Sequence, residues 1–435
     1  MRAKSTRFWM AALCLAGLSV SLPAQEGFYE ERFSLYGYLV NLFNVNLESE
    51  DWRVSGSGYG NVLYGRLKGD WNPESSLSFH AELAYDARVG NRNPYVLYQS
   101  YGFALLDGPA TVETETQADY PTEDFIQSVF VDHLWGSVSL GRFDLQFGKL
   151  PLAWGTGYFF NPTSRAAAAA FLEIVSEETP GTLAVAPSVS FLEGRLSLQG
   201  YAAFQDKSHK RLAFQSDGEW ENLPFGLKVQ GIVGSFDLSA SLIKEVAYTS
   251  GGINRHHFLG ADLVGAVWDF GVYAEAALRL PWDAEARRFD CAGETLSDLI
   301  EACLGFDYFI PVLEVDTRLE YYHYGPGERR KSAYDVMGLL QGERVVLAED
   351  YLLFDLERGF LDYFKVSAAG LVNMNDGSLA VIPEIGGEPY GNLEVGLGAM
   401  LFWGPAGSEY NGEFDLGSPI DLTEPAVYAR CKLSF

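Results

Sequence analysis

The chain has 435 residues, 48% of them hydrophobic and 14% aromatic, with 46 glycines and a formal net charge of -27. So large an acidic excess argues against nucleic acid as a partner. The glycine and aromatic content suits many strands with tight turns, and the length admits two or three soluble domains or one large barrel.

Arg2, Lys4 and Arg7 form a basic start, Phe8 to Val20 an apolar core, and Leu22-Pro23-Ala24 a cleavage site before Gln25. Residues 1-24 therefore predict a secretory signal peptide and 25-435 a single exported domain. The apolar core, about 13 residues, is too short to span a bilayer. Removing it takes away three basic residues and no acidic ones, moving the charge from -27 to -27 - 3 = -30. Cys14 follows Leu13 rather than a small residue, so no N-terminal lipid anchor is expected. No later run of 18 or more apolar residues occurs. Any membrane crossing must then be made by strands closed into a barrel, which satisfies every backbone group in hydrocarbon.

In chain order, Phe33, Leu35, Gly37, Leu39, Phe43, Val45 and Leu47 share one parity, against Ser34, Tyr36, Tyr38, Asn44 and Asn46 on the other. Residues 51-69 supply a partner strand, and Asn72-Pro73-Glu74-Ser75 a tight turn. From Leu77 to Arg88 apolar and polar residues alternate over a dozen positions. That is about the 9 to 11 residues a tilted membrane strand needs, and about twice the soluble average. Short turns near 141-142, 192-194, 234-235, 268-269, 311-312, 359-360 and 388-389 then alternate with long polar connections at 90-123, 206-223, 281-302, 325-349 and 405-424. Outer-membrane barrels show this asymmetry between periplasmic turns and external loops.

About 18 strands are predicted, near 32-47, 53-69, 76-88, 124-140, 143-155, 180-191, 195-206, 224-234, 236-247, 257-267, 270-280, 303-310, 314-324, 350-358, 362-374, 378-386, 391-403 and 425-435. A count of 16 is also compatible, and the fourth strand changes parity ambiguously around His133 and Trp135. In the last strand Val427, Ala429, Cys431, Leu433 and Phe435 face one way, and Tyr428, Arg430, Lys432 and Ser434 the other. The fold class is thus all-β, a transmembrane antiparallel barrel with short periplasmic turns and long extracellular loops.

A closing strand with a terminal aromatic resembles that of bacterial outer-membrane β-barrels. The resemblance implies that Phe435 is part of the signal read by the β-barrel assembly machinery. The stretch Phe143 to Ser164, containing Phe147-Gly148-Lys149, Trp154-Gly155-Thr156-Gly157 and Phe159-Phe160-Asn161-Pro162-Thr163, resembles a segment of poorly characterised porin-like barrels. Asn375-Asp376-Gly377-Ser378, Gly404-Pro405-Ala406-Gly407-Ser408-Glu409 and Lys432-Leu433-Ser434-Phe435 also look like that group. Trp154, Tyr158, Phe159 and Phe160 are expected in a strand leaving the bilayer through its aromatic girdle.

With the apolar parity toward lipid, the other parity faces the lumen. It presents His80, Glu82, Asp86 and Arg88 on the third strand, Tyr273, Glu275 and Arg279 on a later one, and Glu314, Asp316, Arg318, Glu320 and Tyr322 on another. These either line a pore, with a transverse field and an acid excess that favours cations, or neutralise one another and stiffen the wall. Ala166 to Ala170 with Phe171 and Leu172 is helix-favouring; it folds inward to constrict the lumen or caps the outer rim. Cys291 and Cys303 could close a disulfide loop of about 13 residues worth roughly 3 kcal/mol, if their Cα atoms approach. Cys431 reads as a small apolar residue on the lipid parity.

No G-x-S-x-G, H-E-x-x-H or Cys/His zinc spacing is present, and the His256-His257 pair reads as solvated. Gly56, Gly58 and Gly60 lack the helix that a dinucleotide site needs. No enzyme, cofactor or metal is expected; the alternative of that class is a barrel enzyme acting on lipid, with Ser and His on its outer wall. The expected function is an outer-membrane, porin-like channel for passive diffusion of small hydrophilic solutes, with lipid and the assembly machinery as partners and the oligomeric state open. The alternatives are a substrate-specific transporter, with Tyr322, Tyr324 and Trp52 stacking on a saccharide, or a non-conducting structural or adhesive barrel.

Overall fold

A computed structural model describes residues 32-48, 52-90, 125-166, 178-204, 220-249, 252-283, 288-289, 291, 293-340, 344-361, 363-411, 413-415, 419-421 and 425-435. The leader read at residues 1-24 lies outside this set. Eighteen strands form one closed antiparallel barrel. They are β1 (Phe33–Leu47), β2 (Val54–Glu74), β3 (Leu77–Gly90), β4 (Phe125–Leu140), β5 (Phe143–Leu150), β6 (Thr182–Phe191), β7 (Leu196–Ala203), β8 (Phe225–Val233), β9 (Phe236–Thr249), β10 (Gly252–Val267), β11 (Phe270–Asp283), β12 (Ile300–Ile310), β13 (Val315–Tyr324), β14 (Asp350–Phe360), β15 (Phe364–Asn373), β16 (Leu379–Tyr390), β17 (Leu393–Trp403) and β18 (Ala426–Ser434). Each pairs with the next, and β18 closes on β1 from Tyr38 opposite Ser434 to Asn46 opposite Ala426. Phe435 extends the seam, exchanging backbone hydrogen bonds with Gly37 at 2.8 and 2.9 Å.

Alternation sets which side of the wall each residue occupies. Leu35, Leu67, Leu83, Leu227, Leu304 and Leu397 are 41% to 62% exposed on the outside, as befits a wall solvated by hydrocarbon rather than water. Val40, Leu42, Tyr64, Tyr273, Tyr351 and Leu353 are buried on the inside. At the short-turn end, where β1 starts and β18 ends, Phe33, Trp71, Phe309, Tyr390 and Phe435 form an exposed aromatic belt. No helix among the described residues is long and apolar enough to cross a membrane.

Several boundaries differ from expectation. β2 runs on to Glu74, because Pro73 falls where the β2–β3 register shifts between Trp71 and Glu74 and no ladder N–H is required there. β10 begins at Gly252, well before 257. β5 stops at Leu150 rather than 155, at Pro151.

The ambiguous parity of β4 is a bulge. Glu82 pairs with His133 while Leu83 pairs with Val131, leaving Asp132 extra. Val129 before it and Leu134 after it both face outward, so the face switches across the bulge. Asp132 and His133, at 2% and 4% exposure, consequently both lie on the inner side.

Candidate functional site

The connection from β5 to β6 turns into the barrel and crosses it. The wall it reaches, β11 to β13, is six to eight strands away in an eighteen-strand ring and so nearly opposite β5. Two carboxylates there hold it. Glu275 on β11 accepts from the backbone N–H groups of Thr156 at 2.7 Å, Gly157 at 3.1 Å and Thr163, and from the Thr163 hydroxyl at 2.8 Å. Glu320 on β13 accepts from the N–H groups of Tyr158, Phe159 and Phe160 at 2.9, 3.1 and 2.9 Å, and from the Tyr273 hydroxyl at 3.0 Å. Charge-assisted bonds to main-chain donors are strong, and they satisfy at once the irregular backbone and the buried carboxylates.

The sequence permits this path because Gly155 has a φ of +98° and a Cβ there would run into the Glu275 carboxylate. At Gly157 a Cβ would strike the Phe160 carbonyl and the Cys303 thiol. Phe160 stacks on Tyr322 at 3.9 Å between ring centroids, and Trp154 packs edge-on against Tyr201 at 4.9 Å. The Arg318 guanidinium lies 3.4 Å from the centre of the Tyr158 ring. Arg165 then pairs with Glu301, lies 3.8 Å from Glu245 and sits over the Phe258 ring. Thr182 on β6 binds the Ala166 carbonyl at 2.8 Å.

A second cluster occupies the inner face of β2 to β4. Arg66 bonds Glu82 at 2.7 Å, Asp132 at 2.6 Å and Glu178 at 3.1 Å, and Lys68 bonds Glu178 at 2.5 Å. His80 lies between Asp70 at 2.6 Å and Glu82 at 2.8 Å, and His133 between Glu82 at 3.1 Å and the Thr179 carbonyl at 2.9 Å. Glu178 and Thr179 lie just before β6, so this cluster also ties the end of the β5–β6 connection to the wall.

A third feature lies toward the external mouth. Val346 and Ala348 from the β13–β14 connection and Tyr410 from the β17–β18 connection pack on Tyr351, Leu353, Leu371 and Met400 of the inner wall. Glu409 is buried there, accepting from the Tyr351 hydroxyl and the Asn373 amide, each at 2.7 Å. Burial, reinforced by Asp376 nearby, outweighs these bonds and raises its carboxyl from 4.5 to about 7.

His80, Glu82, Asp86, Arg88, Glu275, Arg279, Asp316, Arg318 and Glu320 share the inward-facing parity of their strands. They do not form one site. His80 and Glu82 join the β2–β4 cluster, Asp86 pairs with Arg88 at 2.7 Å, and Arg279 pairs with Glu294 at 2.9 Å. Glu275 and Glu320 anchor the inward segment, and Arg318 adds an ion pair to Asp355 at 3.4 Å. The expected girdle position of Trp154, Tyr158, Phe159 and Phe160 is corrected: they are inside the lumen, because β5 ends at Leu150 and the carboxylates across the barrel capture the backbone that follows. Ala166 is buried at the end of this path, whereas Phe171 and Leu172 lie outside the described residues.

The disulfide expectation is also corrected. Cys291 and Cys303 are free thiols, Cys291 exposed and Cys303 buried, because Cys303 falls within β12 on its inner face and meets the Phe160 carbonyl at 3.3 Å. Tyr322 is covered by Phe160, which removes it as a free stacking platform. The sequence reading missed Arg66, Lys68 and Asp70, although their i, i+2, i+4 spacing on one parity was visible. It missed Asp132, the extra residue of the bulge, which lies inward beside His133.

No family model matches the chain, and no curated protein matches it. Solved structures do resemble it in fold. OccAB2 of Acinetobacter baumannii aligns at 9% identity over 94% of this chain and 99% of its own, with a TM-score of 0.50. A mutant of the Rh. blastica porin aligns at 12% identity over 93% and 100%, TM-score 0.43. Salmonella typhi OmpF, solved with daunomycin, aligns at 11% over 93% and 97%, TM-score 0.44. The barrel is porin-like in fold.

Proposed function

We propose that this protein is an outer-membrane channel through which small hydrophilic solutes diffuse passively. The observation that carries it is the segment 151–166 anchored across the lumen by Glu275 and Glu320. A purely structural wall has no need of such a crossing, whereas a channel uses one to set its width and charge. Arg318, held against Tyr158 on that segment, and the paired acids and bases of the wall place opposed charges around the passage, the arrangement that sorts polar solutes. The mature chain would begin after residue 24, with lipid against the apolar exterior and Phe435 recognised by the barrel-assembly machinery.

The external connections packed around Tyr351 and Tyr410 favour a second reading, a barrel that opens only for a particular solute, a saccharide among the candidates, or that does not conduct. Planar-bilayer recording with salts and a panel of sugars separates these. Steady ohmic current that sugars do not block supports passive diffusion. Current blocked by one sugar class assigns a dedicated transporter, and silence in every salt removes the channel.

A further inference from the structure

We propose that His80, Glu82 and His133 form a binding site for a divalent first-row transition ion, with zinc as the reference. Their ligand atoms all lie within 4.8 Å of one another, and all three residues are buried. Glu82 and His133 face each other across the β3–β4 ladder, and His80 precedes Glu82 by two positions on the same face. Two imidazoles and a carboxylate are a common set for zinc, leaving a fourth position for water.

The surroundings do more than bring three residues together. Each imidazole is held from behind through its other nitrogen: His80 Nδ1 faces Asp70 Oδ1 at 2.6 Å, and His133 Nε2 faces the Thr179 carbonyl at 2.9 Å. His80 Nε2 and His133 Nδ1 are thereby turned to the same oxygen, Glu82 Oε1, at 2.8 and 3.1 Å. Metal-bound histidines are oriented by this kind of second contact, to a carboxylate or a backbone carbonyl. Arg66 holds the other oxygen, Glu82 Oε2, at 2.7 Å and so leaves Oε1 for the ion. Lys68, 3.3 Å from Oε1, has a nearer partner in Glu178 at 2.5 Å.

Zinc bonds of about 2.0–2.2 Å set ligand atoms about 3.3–3.6 Å apart, so on binding these nitrogens draw back from Oε1 by a few tenths of an ångström and release to solvent the protons they share with it. Asp70, Glu82, Asp132 and Glu178 outnumber the cations Arg66, Lys68 and Lys149 around them, so the field at the rings attracts a cation. The bulge at Asp132 is what brings His133 to this face. Bulges recur where a side chain is re-aimed beside a functional site. Because Thr179 lies just before β6, at the end of the β5–β6 connection, the ion would pin that end of the connection to the β3–β4 wall. The site stands independently of whether the barrel conducts.

The test uses the full mature barrel in detergent without a histidine tag, titrated with Zn²⁺ against a chromogenic chelator. The expected result is one ion per chain, with His80→Gln and His133→Gln each weakening binding more than tenfold and Asp70→Asn weakening it about tenfold. The double variant His256→Gln/His257→Gln should bind as the unaltered protein does. Binding below one equivalent, or binding that survives loss of both His80 and His133, overturns the proposal and leaves the cluster as ion pairs alone. X-ray absorption of the zinc-loaded, unsubstituted barrel decides the matter if the variants fold poorly. Two imidazoles at about 2.0–2.1 Å support the site, and a shell of oxygen alone overturns it.

Discussion

Opposite sides of the lumen bury carboxylates by different means. On β11 and β13, Glu275 and Glu320 are satisfied almost wholly by main-chain N–H groups of the inward segment. On β2 to β4, Glu82 and Asp132 are satisfied by Arg66 and flanking histidines. The first arrangement dictates the path of a chain, since N–H groups at successive residues can converge on one carboxylate in few conformations. The second dictates charge balance, and its partners can be exchanged for an ion without moving the backbone far.

Breaking the ion cluster should have the largest effect. Arg66→Met strands buried carboxylates and should cost about 3–5 kcal/mol, seen as a lower urea midpoint for the detergent-solubilised barrel. An unchanged midpoint would show that the cluster is already hydrated. Breaking the other wall should act on the pore more than on the barrel. Glu320→Ala removes the acceptor for three N–H groups and a tyrosine, costing about 1–3 kcal/mol, and should raise single-channel conductance as the segment loosens. Equal conductance in the variant would mean that the segment does not limit the passage.

Glu409 sharpens the contrast, because it is buried with neither a cation nor a converging set of N–H groups. Its folded-state value of about 7 lies above the ordinary 4.5, so the folded protein holds this proton more tightly than the unfolded chain. The stabilising contribution is full below about pH 4.5 and is lost as pH rises through 7, a change on the order of 3 kcal/mol. Protease cleavage of the external connections should therefore increase from pH 5 to pH 8, and Glu409→Gln should flatten that dependence. The smallest effect is expected of Arg318→Ala, which removes a cation–π contact of about 1 kcal/mol but leaves Glu320 in place. Conductance should hold while selectivity shifts further toward cations, measured as a reversal potential in a salt gradient.

Much of the architecture was legible in the chain. The long alternation from Leu77 to Arg88 and the switch between short and long connections lead to eighteen strands, because hydrocarbon outside and water inside act on every residue of a crossing. Inward-facing acids such as Glu275 and Glu320 were legible as well. Their task was not, for a carboxylate on a lumenal face looks the same in sequence whether it meets water, an arginine or a distant backbone. The segment from Trp154 to Phe160 misled for a related reason. Its aromatics suit a membrane interface and a packed lumen equally, and only the termination of β5 at Pro151 separates the two.

By itself the sequence determined the period and the outward face of most strands, since these depend on each residue's own affinity for lipid or water, while closure of the ring decided eighteen strands over sixteen. The tertiary structure alone decided which inward groups meet. The path of the inward segment depends on carboxylates more than a hundred residues further along the chain, and the meeting of Glu82 with His133 depends on a single extra residue in β4. Both are matters of register and closure around a ring, and no local pattern encodes them.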